Sequence, residues 1–221
     1  MKDNKGLIKK MKIKNKVYRQ FLDEGIIQTV KEEDIQAALK NVNGIRGKYK
    51  AEARALLILL YYTGCRPNEA LQLSGKDISR DKHYITVLLK GSKGGTPRTV
   101  YLPFKHGLVK ELWGFVQGIP PVMLLFWHYA NKYKRVRVTK KGETRETFET
   151  TDRLRYFFKR WFKDIDITPY VLRHNRLSKL AMKGATMEQL RQIKGAKSFD
   201  SVMPYLHLSK VEAQKVGRKI D

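Results

Sequence analysis

The chain has 221 residues, 42% of them hydrophobic, and its 46 Lys and Arg against 21 Asp and Glu give a formal net charge of +25. This much apolar sequence supports one sizeable domain, and the excess of positive charge indicates a polyanionic partner, with nucleic acid as the default. The single cysteine, Cys65, excludes an intramolecular disulfide and any cysteine-based metal cluster.

The N-terminus has charge but no apolar segment of signal-peptide length. The longest apolar runs, near 55–62 and 119–127, are too short to span a bilayer. We therefore expect a soluble, cytoplasmic protein. Charge alone does not indicate an enzyme, since a ribosomal or chromatin protein would be equally basic.

The first half of the chain is predicted to be helical after a lysine-rich segment over 1–28. A helix is expected from Val30, because acidic residues occupy its first turn. A second helix is predicted over Tyr49–Tyr62, fully buried at its end and stopped by Gly64. Another short helix is expected to begin at Glu69.

The hydrophobic period then changes from 3.6 to 2, which predicts strands. His83–Leu89 and Arg98–Pro103 read as the two strands of a hairpin, joined by a glycine-containing turn over 90–97. The sheet is expected to be confined to about 76–103, and a helix is predicted near 107–117.

Residues 129–148 form the most basic stretch of the chain. Val136 and Val138 alternate with charge, and the triplet at 141–143 could turn a hairpin. A solvated charged loop fits this composition as well as a DNA-contacting finger does. The cations concerned are Lys132, Lys134, Arg135, Arg137, Lys140, Lys141 and Arg145.

The last third of the chain is again predicted to be helical, with one helix from Thr150 to about Lys163, one from Pro169 and one over Met187–Ile193, followed by a turn at Gly195. The tail, 209–221, is charged and weakly helical. Helices around a small antiparallel sheet predict an α+β fold.

Two arginines and a tyrosine suggest chemistry on phosphate. Arg173 lies within the apolar helical pattern of 168–179. Burying its charge there costs free energy unless an anion binds it or the long side chain extends to solvent. The presence of Arg66 in Thr-Gly-Cys-Arg-Pro-Asn-Glu and of Tyr205 in Pro-Tyr-Leu-His favours the interpretation that Arg173 binds an anion. Arginine binds phosphate oxygens in bidentate fashion, and a tyrosine can be a nucleophile.

Residues 29–210 resemble the catalytic domain of the tyrosine recombinases, which include the phage integrases. In the box Tyr-Thr-Gly-Cys-Arg-Pro-Asn-Glu-Ala-Leu, Arg66 matches the family's first catalytic arginine and Glu69 its supporting acid. Lys93 stands five residues before Arg98, as the family's catalytic lysine often does, and Lys90 is its competitor.

The second box departs from the family's His-x-x-Arg pattern. This chain has Tyr170-Val-Leu-Arg173, a Tyr-x-x-Arg form that looks like the integrases of archaeal viruses and plasmids. The usual histidine or tryptophan position is Ala196, whose role Lys197 or Lys194 could take. His174 and His207 flank matched residues and are interpreted as structural.

The resemblance implies that Tyr205 attacks a scissile phosphate in double-stranded DNA, without metal or nucleotide cofactor, in a homodimer or homotetramer assembled on the DNA. It also implies a catalytic domain over 29–221, with 1–28 as a linker or the remnant of a DNA-binding module. Lys90, Arg98 and the cations of 132–141 would contact DNA. The alternatives are a type IB-like topoisomerase and a non-catalytic basic DNA-binding protein.

Overall fold

The computed structural model describes residues 30, 32–45, 47, 49–91, 95–130, 134–138, 144–148, 151–162 and 167–205. Predictions made for the linker over 1–28 and for the tail over 209–221 lie outside these residues. None of the described helices is long and apolar enough to cross a membrane.

Seven α-helices are found in the described part of the chain. Their bounds are α1 Glu32–Val42, α2 Tyr49–Thr63, α3 Pro67–Leu71, α4 Gly107–Gln117, α5 Thr151–Trp161, α6 Pro169–Met182 and α7 Met187–Lys194. Short 3-10 helices cover Gly75–Asp77 and Met203–Tyr205. Helix α3 begins two residues before the predicted Glu69, because Pro67 suits a first helical turn that needs no N–H there.

The strands form two antiparallel sheets in the described residues. The first has the order β1 (Ile78–Arg80), β2 (Tyr84–Leu89), β3 (Arg98–Pro103), with Leu89 opposite Arg98 and Tyr84 opposite Pro103. Its extent agrees with the prediction. The second sheet pairs β4 (Lys134–Val138) with β5 (Thr144–Phe148), so strands are not confined to 76–103. The alternation around Val136 was the correct indication of this hairpin.

Helix α2 lies at the centre of the core and packs against α4 and α6. All its side chains from Ala55 to Leu60 are buried, because the helix is apolar on every face there. A second, smaller cluster joins α6 to α7 and to the 3-10 helix that carries Tyr205. The C-terminal end of α2 and the N-terminal half of α6 are thereby brought together, and the candidate site lies where they meet.

Candidate active site

Arg66 is positioned by a sharp turn that follows α2. Gly64 has φ +61°, and a Cβ there would lie 2.9 Å from the Cβ of Arg176 on α6, so both the backbone conformation and the close approach require glycine. The chain then enters α3 at Arg66, the N-cap residue. The Arg66 side chain remains 29% exposed at this corner, so its guanidinium can be reached from solution.

Glu69 is a fully buried carboxylate held by two arginines. It accepts hydrogen bonds from the backbone N–H of Arg66 at 2.8 Å, from Arg66 Nη1 at 3.0 Å, and from Arg98 Nη1 and Nη2 at 3.1 and 2.8 Å. Burial disfavours its ionised form, but the hydrogen bonds and charge of Arg98 outweigh this and lower the pKa of Glu69. The carboxylate therefore fixes two guanidinium groups on adjacent elements, α3 and β3.

We expect Glu69→Gln to destabilise the protein by about 3–5 kcal/mol, because it leaves buried Arg98 without its counter-charge. The wild type should hold this contribution above pH 4.5, the ordinary pKa of a glutamate, and lose it as pH falls through the lowered pKa. Thermal melting of both proteins between pH 7 and pH 3 checks this. The difference in melting temperature between wild type and Glu69→Gln should become smaller as the pH falls. A difference that stays constant would show that the Glu69 carboxylate is not the group that stabilises Arg98.

Arg173 lies on α6 and is almost completely buried, at 6% exposed. Its Nη1 donates to the carbonyl of Gly64 at 2.7 Å and its Nη2 to the carbonyl of Lys194 at 2.5 Å. Burial, followed by the charge of Arg66, lowers the pKa of Arg173 to about 10. The Arg173 guanidinium is still cationic at neutral pH. The two carbonyls therefore fix its orientation without neutralising its charge.

The turn after α7 completes this cationic site. Gly195 has φ +61°, and a Cβ there would lie 2.5 Å from Arg98 Nη1. Its carbonyl accepts from the N–H of Thr96, in the turn before β3. Burial and the charges of Arg173 and Arg66 lower the pKa of Lys194 to about 8. We call Arg66, Glu69, Arg98, Arg173 and Lys194 the arginine cluster. It has four cations and one carboxylate, which binds Arg66 and Arg98, so the excess of positive charge makes it a candidate site for an anion.

Tyr205 is buried, at 1% exposure, and lies beside Lys194 of the arginine cluster. Its hydroxyl is 2.5 Å from Nδ1 of His174, the residue after Arg173. Lys194 Nζ lies 5.3 Å from the centre of the Tyr205 ring and donates to the carbonyl of Ser201. The predicted nucleophile therefore contacts His174, the residue that follows the predicted phosphate-binding Arg173, and lies beside Lys194.

The other residues that the sequence singled out are placed as follows. Tyr170 is 48% exposed and its ring contacts that of His174. Lys197 is exposed, and buried Ala196 contributes its carbonyl to Arg191. Lys90 is predicted to contact DNA; its ammonium group pairs with Asp77 at 2.9 Å.

Several of the predicted residues fall outside the described part of the chain. Lys93 lies outside the described residues, as do Lys132, Lys140 and Lys141. The backbone of Lys134, Arg135 and Arg137 forms β4, and their side chains are not described.

Arg98 is placed differently from the DNA-contacting residue that the sequence predicts. Its side chain is 6% exposed, and both terminal nitrogens bind Glu69. It holds the supporting acid and does not offer its charge to the surface. His174 was interpreted as structural, yet it contacts the hydroxyl of Tyr205. Its place directly after Arg173 was the only signal in the sequence.

A family model described as the phage integrase family matches residues 28–212. The tyrosine recombinase XerC of Staphylococcus aureus (strain USA300 / TCH1516) is 26% identical over 185 residues, which are 84% of this chain and 58% of that protein. The chain thus spans less than two thirds of this relative's length.

Solved structures of recombinases share the fold. A XerH site-specific recombinase bound to its difH substrate in a pre-cleavage complex is 26% identical, with a TM-score of 0.56 over 85% of this chain and 52% of that chain. The XerA recombinase has a TM-score of 0.58 at 18% identity over 86% of this chain and 64% of its own. The catalytic domain of bacteriophage HP1 integrase has a TM-score of 0.51 at 18% identity, over 86% of this chain and 93% of that domain.

Proposed function

Because the chain belongs to the phage integrase family, we propose that it is a site-specific recombinase that cleaves and rejoins double-stranded DNA through a covalent tyrosine intermediate. The observation that carries this proposal is the arrangement of Arg66 and Arg173 in one cationic site, with Tyr205 packed beside it. The XerH relative, which binds a DNA substrate, supports the same partner here.

In the proposed reaction the Tyr205 hydroxyl gives its proton to solvent water as its oxygen bonds to the scissile phosphorus, and the bond from phosphorus to the 5′-oxygen breaks. The products are a 3′-phosphotyrosine and a free 5′-hydroxyl. Arg66 and Arg173 stabilise the charge that develops on the non-bridging oxygens, and Lys93 gives the departing oxygen its proton. A 5′-hydroxyl from another strand reverses the step, because the phosphotyrosine conserves the energy of the broken bond.

We propose that 29–221 is the catalytic unit, that 1–28 is a linker or remnant of a DNA-binding module, and that protomers assemble as a dimer or tetramer on the DNA inside the host cell. The substrate is proposed to be the joining site of a mobile element or viral genome. Tyr170 in place of the family's histidine supports an archaeal element, since that form resembles the integrases of archaeal viruses and plasmids.

A nicked duplex tests the proposed activity. Cleavage close to the nick releases a short fragment that carries the 5′-hydroxyl, so the reverse reaction fails and the covalent adduct accumulates. A pool of such duplexes with randomised cores removes the need to know the target site. We expect a detergent-stable adduct that mass spectrometry maps to Tyr205. If DNA is bound but no adduct forms, the basic DNA-binding alternative is correct.

Transfer between duplexes separates recombinase from topoisomerase. A second duplex with a free 5′-hydroxyl should receive the strand held on the protein, and the rate should rise steeply with protein concentration if protomers assemble. Relaxation of a supercoiled plasmid by monomers, without transfer between duplexes, would instead favour the type IB-like topoisomerase.

We expect Tyr170→Phe to slow adduct formation about tenfold to thousandfold, as loss of one donor to a phosphoryl oxygen does. Tyr170 is half exposed beside His174, so the substitution removes a hydroxyl without opening a core cavity. Tyr170→His should keep activity, because imidazole can also donate. Single-turnover rates on the nicked duplex measure both variants. A Phe variant as fast as the wild type would make Tyr170 a packing residue.

A further inference from the structure

His174 lies between two tyrosine rings at the edge of the arginine cluster. The Tyr205 ring is stacked on it at a centroid distance of 5.7 Å, and the Tyr170 ring meets it edge-on at 4.3 Å. The Tyr205 hydroxyl is 2.5 Å from Nδ1. A buried hydroxyl this close to a ring nitrogen is hydrogen-bonded to it, so the oxygen of the proposed nucleophile is held by His174.

Helix geometry ties this contact to the phosphate-binding arginine. His174 directly follows Arg173 on α6, whose fork is itself fixed by the carbonyls of Gly64 and Lys194. The orientation of α6 therefore sets both the arginine and the imidazole. Any group that His174 holds is aligned relative to Arg173 by the same rigid element.

Burial and the charges around His174 keep it neutral. In the described part of the chain, the groups that face it include Arg173 and Tyr170 on α6, Lys194 on α7, and Tyr205 on the following 3-10 helix. Burial, then the charges of Lys194 and Arg173, lower the pKa of His174 to about 3. A neutral imidazole with its proton on Nε2 presents Nδ1 as an acceptor, so the tyrosine hydroxyl can donate to it.

We propose, on the basis of the recombinase function above, that His174 is the positioning residue of the nucleophile: its Nδ1 accepts the hydrogen bond of the Tyr205 hydroxyl and aims that oxygen beside Arg173. This role differs from that of a general base. A free tyrosine loses its proton near pH 10, and an imidazole this weakly basic does not take it. His174 instead orients the Tyr205 hydroxyl, and correct placement of a reacting atom raises the rate of the reaction.

Two variants of nearly equal shape isolate the acceptor. His174→Asn and His174→Leu both lose the ring, its stacking on Tyr205 and its edge contact with Tyr170, but only the asparagine retains a polar acceptor near the position of Nδ1. We expect His174→Leu to form the covalent adduct on the nicked duplex at least about tenfold more slowly than His174→Asn, with equal DNA binding. Equal rates for the two variants, or a leucine variant faster than the wild type, would overturn the proposal.

An external nucleophile separates this inference from the proposed function. In a Tyr205→Phe background, hydrogen peroxide can attack a phosphate that the arginines hold. In that background, His174→Leu and His174→Asn should give equal peroxide cleavage, since both lose the ring contact with Tyr170 and the acceptor that distinguishes them acts only through the missing Tyr205 hydroxyl. Slower peroxide cleavage by the leucine variant than by the asparagine variant would overturn the inference. If the wild type forms no adduct and the Phe background shows no peroxide cleavage, the recombinase function itself fails.

The pH profile of the wild type tests the same point without any substitution. Since His174 is neutral far below pH 5, the rate of adduct formation should show no imidazole titration between pH 5 and pH 8. A rise in rate through pH 6–7 that is absent from His174→Asn would show a histidine that ionises in the site. That result would contradict a permanently neutral acceptor.

Discussion

Tyr205→Phe is expected to abolish the covalent adduct with the nicked duplex while DNA binding is retained. The substitution removes one oxygen from a buried ring and leaves the arginine cluster in place. A free tyrosine is about 0.1% ionised at neutral pH, so ionising it beforehand costs about 4 kcal/mol. Cations held around the phosphate lower this cost, but a phenyl ring has no oxygen that could bond to phosphorus. Adduct yield in a denaturing gel measures the effect.

Tyr84→Phe is the matched control for this prediction. Tyr84 loses the same oxygen, is 43% exposed, and lies on β2 at the end of the sheet away from Arg98. It should form adduct at the wild-type rate. If Tyr205→Phe still becomes covalently linked, the nucleophile is another residue, and Tyr170 and Tyr101 would be mapped next.

Arg173→Lys is expected to lower the rate of adduct formation about a hundredfold to a thousandfold, comparable to the loss of a preorganised donor at a developing charge. Lysine keeps the charge but not the planar fork. A single ammonium group cannot bind the carbonyls of Gly64 and Lys194 as the two guanidinium nitrogens do. DNA affinity should change little, because the overall charge is the same.

Arg160→Lys controls for the exchange of arginine for lysine. Arg160 is exposed on α5, where it binds the hydroxyl of Tyr156, outside the arginine cluster. Single-turnover rates on saturating DNA compare the two variants with the wild type. If Arg173→Lys cleaves as fast as Arg160→Lys, the scissile phosphate does not bind at Arg173.

The elements of this fold could be predicted where the sequence pattern is strong and local. The apolar run of α2 and the alternation of β2 and β3 are decided by neighbours within a few residues, and the structure agrees with the prediction there. The identities of Arg66, Arg173 and Tyr205 as a group came from family resemblance. Periodicity carries no information on which arginine meets which partner.

The environment of the site could not be predicted, because it depends on contacts between distant parts of the chain. Arg98 is predicted from the sequence as an exposed cation at the start of a strand, and only the folded chain shows that Glu69, 29 residues earlier, neutralises it. His174 meets Tyr205 across a separation of 31 residues. A hydrogen bond between residues so far apart produces no periodic pattern in the sequence from which it could be predicted.

Because Glu69 is buried, ionic strength should affect DNA binding by the exposed basic surface more than it affects the ion pair inside the site. Dissolved ions screen exposed charges over about 10 Å at 0.1 M salt, but they screen buried pairs much less. The side chains of Glu69 and Arg98 are 0% and 6% exposed. Salt should therefore weaken the proposed capture of DNA by the basic surface, while the internal counter-ion keeps Arg66 and Arg98 in place. A rise in ionic strength would then lower how often the proposed recombinase engages DNA and leave the chemistry of each engagement intact.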